Sequence, residues 1–150
     1  MNAACPSSLL LVPGGNPMIY VASSWRNLQQ PRLVKLLRDN GYLVYDFQHP
    51  KVGDDGFHWS ELDFNWQKWT PQQFRDALLD PRAKSCYEED LEGMRRCQIF
   101  VLLLPCGRSA HLELGWAVGR GLTAVIYLAS GEPELMYSLV DHLVVSDSEL

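Results

Sequence analysis

Two kinds of apolar pattern alternate along the chain. Continuous apolar, β-branched runs predict strands, and apolar positions that recur every three or four residues predict helices. The predicted strands are residues 18–23, 42–47, 98–104, 122–128 and 143–145, and the predicted helices are residues 30–40, 71–79, 80–96, 109–120 and 132–140. This alternation predicts a single-domain α/β fold over residues 18–150. It has a doubly wound, flavodoxin-like parallel sheet of about five strands with helices on both faces.

Turn and cap residues support several of these boundaries. Gly41 is suited to cap the C-terminal end of the first helix. Thr70 followed by Pro71 is typical of a helix start. Residues 1–17 are rich in Pro and Gly, and no Lys or Arg precedes their short apolar run. They predict an irregular leader outside the fold, because a signal peptide carries basic residues there and a membrane span is longer.

The segment 48–70 lacks a regular period and concentrates aromatic residues, among them Trp59, Phe64, Trp66 and Trp69. A long irregular segment in a compact domain is usually functional or mobile. Two interpretations stay open. The aromatic side chains fill a satellite core, or they form a wall over a flat ligand such as a nucleobase.

Charge and cysteine content narrow the possible partners. The net charge is −5, the sequence pI is about 5.3, and no basic stripe is present, so nucleic acid binding is not expected. No segment reaches the length of a membrane span. The four cysteines form no CxxC pair and match no zinc spacing, so we expect a reduced, cytoplasmic protein without a metal site.

The clearest candidate for chemistry is Glu113, in the helix that follows the third predicted strand. Ligands of doubly wound sheets bind beyond the carboxyl ends of the strands. Glu113 is therefore interpreted as a charge near the helix start, as an ion-pair residue or as a reactive carboxylate. A carboxylate can attack an anomeric carbon and form a glycosyl intermediate, with a second acid handling the proton of the leaving group. Asp46 and Asp90 are the candidates for that acid.

Three segments carry a resemblance to a known family. They are MIYVASSWRN (18–27), YEEDLEGMRRCQIFVLLL (87–104) and HLELGWAVGRG (111–121). They resemble the nucleoside 2-deoxyribosyltransferase superfamily, which includes the deoxynucleoside 5′-monophosphate N-glycosidases. The resemblance spans roughly residues 18–128, with 48–80 poorly matched. Its most specific part is Glu113-Leu114-Gly115 followed by small residues, and Asp90-Leu91 matches a second element.

The resemblance implies roles for individual residues. Glu113 would be the nucleophile on C1′, Asp90 the acid that handles the base or its proton, and Tyr20 a residue that orients the nucleophile. The loop after the first strand would line the sugar and base, through Ser23, Ser24 and Arg26. Active sites of the family lie near subunit interfaces, so the resemblance also implies a homodimer or larger assembly. No cofactor is implied.

The chain departs from the transferases in one position. They carry an Asp six residues before the nucleophile, where this chain has Gly107. The nucleotide glycosidases use a Ser of this loop for phosphate, and Arg108 with Ser109 would suit an anion at a helix start. Ser109 is also expected to be the N-cap of that helix, which is compatible with binding phosphate. His111 is expected at the surface or at an interface.

The predicted function is therefore cleavage or transfer at the N-glycosidic bond of a (deoxy)nucleoside or its 5′-monophosphate. Gly107 in place of Asp shifts the expected substrate toward a phosphorylated one. Three alternatives stay open. They are an NAD-cleaving domain of the Toll/interleukin-receptor type, a non-catalytic nucleotide-binding module, and a scaffold domain in which Glu113 only forms an ion pair.

Overall fold

The computed structural model describes residues 16–132 and 134–150. The strands and helices are β1 (Met18–Ala22), α1 (Gln30–Asp39), β2 (Leu43–Asp46), α2 (Pro71–Ala77), α3 (Pro81–Arg96), β3 (Ile99–Leu103), α4 (Arg108–Gly119), β4 (Thr123–Tyr127) and β5 (His142–Val144). Short 3-10 helices lie at Trp59–Glu61, Trp66–Lys68 and Leu135–Leu139. Residues 1–15, most of the predicted leader (1–17), lie outside the described residues. Within the described ranges, no helix is long and apolar enough to cross a membrane.

All five strands form one parallel sheet in the order β2-β1-β3-β4-β5. This is the flavodoxin-like order, so the predicted fold class is confirmed. The chain moves from β1 through α1 to β2 on one side and from β3 through α4 to β4 on the other. Because such crossovers are right-handed, α1 and α4 cover opposite faces of the sheet.

Contacts within the chain divide it into two compact units. The first comprises the described residues up to Asp46 together with Arg96–Leu150, and therefore contains the whole sheet, α1 and α4. The second is Phe47–Arg95, which contains α2 and nearly all of α3.

One core of the first unit lies between α1 and the sheet. Leu33, Val34 and Leu37 of α1 pack against alternate residues of the strands, namely Ile19, Val21, Ile99, Val101, Leu103, Val125, Tyr127 and Val144. Every one of these side chains is buried. The start of α1 follows from Pro31 at its first turn, and Gly41, just beyond its end, has φ of +89°, as the sequence predicts.

The other face of the sheet carries an aromatic row. Tyr20 of β1 is fully buried, and its ring stacks on Tyr45 of β2 at 5.1 Å and on Phe100 of β3 at 5.2 Å between ring centroids. The strand register pairs Tyr20 with both residues, so the rings lie side by side across three strands. Helix α4 contacts β1, β3 and β4 from this side and buries Leu114 and Ala117.

The second unit has its own aromatic cluster. Trp59 makes edge-to-face contacts with Phe57, Trp69 and Phe74 at centroid distances of 4.9, 5.6 and 5.4 Å. Phe64, in contrast, is 86% exposed. This packing supports the satellite-core interpretation of the segment 48–70. Thr70 caps α2 through a reciprocal capping box with Gln73, as the sequence predicts.

One prediction about a helix is wrong. The described residues of 132–140 do not form an α-helix, because regular structure there is confined to the 3-10 turn Leu135–Leu139 and the chain is extended again at Val140.

The C-terminal segment is held to α1 by Asp147. Its carboxylate receives hydrogen bonds from Arg32 Nη1 and Nη2 at 2.6 and 3.0 Å and from the Tyr127 hydroxyl at 2.7 Å. These bonds hold the pKa of Asp147 below its usual value. A carboxylate of lowered pKa stabilises the folded state above its unfolded pKa, and this contribution is lost as the pH falls through the folded pKa.

We expect Asp147→Asn to lower the free energy of unfolding by up to about 1 kcal/mol at pH 7, since the pair is partly exposed. The difference from the wild type should shrink as the pH falls below about 4. Urea unfolding at several pH values measures it. Asp39→Asn, which breaks the exposed pair with Lys35, is the matched control. A difference that stays constant down to pH 2 would contradict the assignment.

Candidate active site

The candidate site lies in the first unit, where the strand order reverses direction. β1 and β3 are neighbours, but the chain leaves them toward opposite sides of the sheet. In sheets of this order, a crevice between the loops that follow two such strands, at their carboxyl ends, is the usual position of a ligand.

Hydrogen bonds join the two loops. The Ser23 hydroxyl donates to the Leu103 carbonyl at 2.9 Å, and Asn27 Nδ2 donates to the Pro105 carbonyl at 3.2 Å. Asn27 is buried, and its Oδ1 accepts from the Gln29 amide at 2.9 Å. The hydroxyl proton of Ser23 therefore already has an acceptor within the protein. Asn27 was not predicted as part of the site, although its place beside Ser23 and Arg26 in the loop is a signal for it.

The other predicted residues of the first loop are less constrained. Ser24 Oγ accepts from the Arg26 amide at 3.1 Å, which tightens the turn. The Arg26 side chain is exposed, and within the described ranges it has no hydrogen bond or ion pair. These positions are available to a ligand at the carboxyl edge.

Helix α4 starts earlier than predicted. Its N-cap is Gly107, with extended backbone at φ −92° and ψ −169°, so the assignment of Ser109 as N-cap is wrong. Ser109 and Arg108 both lie in the first turn, and both are exposed. No side chain caps this helix start, and Arg108 has no ion pair among the residues described. An uncapped helix start with an exposed Arg suits an anion.

Glu113 is half-buried on α4, about a turn and a half from its start. Its negative charge affects the pKa of the Cys106 thiol, in the loop before the helix. Burial, and to a smaller extent the negative charge of Glu113, raises the pKa of the Cys106 thiol to about 12. Cys106 is therefore a neutral thiol at pH 7 and is not a nucleophile.

His111 makes the most extensive contacts at this end of α4. Its Nδ1 lies 2.8 Å from the Gly107 carbonyl oxygen and 3.6 Å from Cys106 Sγ, and its Nε2 lies 2.9 Å from the Tyr137 hydroxyl. The ring is half-buried and bonded at both nitrogens, and an interface position for it stays a prediction. In the sequence, the contact with Gly107 is indicated only by the spacing of four residues between Gly107 and His111. Nothing local in the sequence indicates Tyr137.

Asp46 ends β2 and is buried. Its Oδ1 accepts a 2.7 Å hydrogen bond from Nε2 of Gln30, which is also buried and begins α1. The pair fixes the direction of the Asp46 side chain. The sequence did not single out Gln30, because a Gln at the start of an amphipathic helix is ordinarily exposed.

The remaining predicted residues are placed as follows. Tyr20 is in the middle of β1 within the aromatic row, on the face of the sheet that α4 covers. Asp90 belongs to the second unit, where it is half-buried in the second half of α3. Its role stays a prediction. Within the described ranges, no group of three or more His, Cys, Asp or Glu side chains is placed to hold a metal ion.

A cleft of about 350 Å³ lies elsewhere in the first unit. Tyr137 lines it together with apolar side chains near β4 and β5, including Leu128, Leu135 and Leu143. No residue predicted from the sequence as part of the site lines this cleft. The candidate site is therefore defined by the two loops and α4, and the cleft is not part of it.

Comparison with known proteins tests the fold. No protein-family model and no curated protein matches the chain. Among solved structures, a 2-deoxyribosyltransferase of the psychrotolerant bacterium Bacillus psychrosaccharolyticus is similar, with 19% sequence identity and a TM-score of 0.60 over 88% of this chain and 90% of that chain. This chain has the fold of that 2-deoxyribosyltransferase. The fold expected from the sequence resemblance is therefore confirmed.

A second solved structure, the CMP N-glycosidase of Clostridium botulinum, has 15% identity and a TM-score of 0.49 over 88% of this chain and 90% of that chain. This weaker likeness supports no assignment. At the identities found, similarity establishes the fold alone, and activity has to be argued from the residues of this chain.

Proposed function

We propose that the chain cleaves or transfers at the N-glycosidic bond of a (deoxy)nucleoside or its 5′-monophosphate, through a covalent glycosyl intermediate on Glu113. The observation that carries the proposal is the place of Glu113. It is a half-buried carboxylate on the helix that leaves the carboxyl edge at the strand reversal. The shared fold with a 2-deoxyribosyltransferase and the sequence motif around Glu113 support it.

The proposed reaction has two steps. A carboxylate oxygen of Glu113 attacks C1′ as the bond from C1′ to the base nitrogen breaks, and the base leaves with a proton from an acid. Water or a second base then attacks C1′, loses a proton and releases Glu113. Two inversions at C1′ give overall retention in any transfer product. The sequence resemblance supports Asp90 as the acid, with Asp46 as the other candidate, and Tyr20 as the residue that orients Glu113.

The start of α4 supports a phosphorylated substrate. Arg108 is exposed in the first turn of a helix without a side-chain cap, and Ser109 is next to it. Backbone N–H groups at a helix start together with a guanidinium bind phosphate oxygens well. Ser23, Ser24 and Arg26, in the loop on the other side of the crevice, are proposed to contact the sugar and base. Gly107 leaves no carboxylate there to repel a phosphate.

We expect Arg108→Ala to raise KM for a deoxynucleoside monophosphate about tenfold, because a charge-assisted hydrogen bond to phosphate is lost. KM for the matching nucleoside should stay within twofold. Steady-state kinetics with both substrates measures the effect. Arg120→Ala is the matched control, since it removes the same charge at the opposite end of α4. Equal changes with both substrates would refute phosphate binding by Arg108.

The test of the function is a chromatographic assay of the purified protein. The panel holds deoxynucleosides, deoxynucleoside monophosphates, ribonucleotides and NAD, each with and without a free acceptor base. Release of free base, or formation of a new nucleoside, from a deoxynucleoside or deoxynucleotide establishes the function. Consumption of NAD alone would favour the NAD-cleaving alternative. Thermal stabilisation by nucleotides, without turnover of any compound in the panel, would favour the non-catalytic nucleotide-binding module.

We further propose a cytoplasmic homo-oligomer, a dimer or larger. Apolar side chains exposed on the first unit support association, among them Leu112, Leu135, Met136, Leu139 and Leu143. Surface of this kind is common at subunit interfaces. Light scattering of the purified chain measures the assembly, and a monomer at micromolar concentration would refute it.

A further inference from the structure

His111 connects the start of α4 to a distant part of the first unit. Its ring stacks on Tyr137 with centroids 5.9 Å apart and an interplanar angle of 12°. Tyr137 belongs to the 3-10 turn Leu135–Leu139, 26 residues further along the chain. Tyr137 is buried, and the His111 ring is half-buried.

The partners of the ring fix where its proton lies. The Gly107 carbonyl oxygen can only accept, so His111 Nδ1 carries the hydrogen at this 2.8 Å contact. In the neutral ring, Nε2 then accepts from the Tyr137 hydroxyl at 2.9 Å. Burial raises the pKa of Tyr137, which keeps the phenol protonated and able to donate.

The contacts of His111 lead toward Glu113. Gly107, bonded to Nδ1, is the N-cap of α4, and it provides no side chain to fix the helix start. Cys106 Sγ, 3.6 Å from Nδ1, is close enough to Glu113 for the carboxylate to influence it. The bond from Tyr137 to His111 is therefore in a position to set the orientation of the first turns of α4.

We propose that His111 and Tyr137 are positioning residues, which hold the start of α4 so that the Glu113 carboxylate points at the reacting carbon. The proposal rests on the proposed function of Glu113. Neither residue touches the substrate. Tyr137 orients the His111 ring, His111 fixes the Gly107 carbonyl, and the first turn of α4 aims Glu113. Displacing a reacting group by about 1 Å can slow a reaction by a factor of about 10².

Two substitutions break the same hydrogen bond from its two ends. Tyr137→Phe removes the hydroxyl and keeps the ring. His111→Asn keeps a donor near the position of Nδ1, for the Gly107 carbonyl, and removes Nε2. We expect each to lower kcat about tenfold with KM within twofold, and the double variant to be no slower than the slower single one. Tyr87→Phe, at an exposed tyrosine of α3, is the control and should retain wild-type kcat.

A merely structural role would leave kcat unchanged at a temperature where every variant is folded. An unchanged kcat in Tyr137→Phe, or effects that multiply in the double variant, overturns the proposal. A rise in KM alone also overturns it, since that indicates direct substrate contact.

A second measurement does not depend on turnover. The side-chain carboxyl resonance of Glu113 is followed by carbon-13 NMR against pH in the wild type and the same variants. We expect its titration to change in Tyr137→Phe and in His111→Asn but not in Tyr87→Phe. If the wild type shows no turnover while the titration changes, the proposed function fails and the positioning stands. An unchanged titration overturns the positioning even in an active enzyme.

Discussion

Glu113→Gln is expected to reduce kcat for release of the base by a factor of about 10³ or more, because an amide cannot form the glycosyl ester. This corresponds to about 4 kcal/mol of transition-state stabilisation. KM should change much less, since the amide has nearly the same shape. Single-turnover release of base, measured by chromatography with the best substrate of the panel, gives the rate directly.

Hydrogen exchange of the amides in β1, β3 and β4 checks that the Glu113→Gln variant keeps the wild-type fold. Glu88→Gln, at an exposed position of α3, is the control for loss of one carboxylate and should keep full activity. A Glu113→Gln protein with a tenth of wild-type activity would exclude Glu113 as nucleophile.

Much of the fold was predictable because it depends on local patterns. The apolar runs of β1, β3 and β4 are buried on both faces, as parallel strands between helices must be. The predicted order of the sheet followed from alternating strands and helices, and it is confirmed. The predicted boundaries of these three strands differ from the observed ones by no more than one residue at each end.

The errors arise where one non-local contact decides the structure. Leu135, Met136 and Leu139 have helical spacing, yet the segment forms only a single 3-10 turn, whose Tyr137 is bonded to His111. Ser109 is a better N-cap by propensity than Gly107, but the chain is extended at Gly107 and already helical at Arg108. Propensity is a weak prior where tertiary contacts compete with it.

The candidate site was predictable in part for the same reason. Glu113, Arg108 and the loop with Ser23 follow the ends of adjacent parallel strands, so topology alone brings their backbones to one edge. The partners that fix these groups come from elsewhere in the chain. Asn27 bonds to Pro105 and His111 bonds to Tyr137 through single hydrogen bonds. A single bond of this kind produces no repeating pattern in the sequence from which it could be predicted.

Phe100→Ala is expected to lower the free energy of unfolding of the first unit by about 3–5 kcal/mol. Phe100 is fully buried on β3, which is bonded to β1 and β4, and its ring stacks on Tyr20. Removing it leaves a cavity beside a rigid sheet that cannot collapse to fill it. Leu28→Ala, at a side chain 88% exposed in the loop after β1, is the control and should change stability by less than about 0.5 kcal/mol.

The measurement has to report on the first unit by itself. Trp59, Trp66 and Trp69 all lie in the second unit, so tryptophan fluorescence would follow mainly that unit. Hydrogen exchange of the amides in β1, β3 and β4 gives the opening free energy of the sheet directly. A loss of less than about 1.5 kcal/mol at these amides would mean that the Phe100 site relaxes after truncation. The aromatic row from Tyr45 through Tyr20 to Phe100 would then not be the rigid support of the sheet face on which α4 and Glu113 rest.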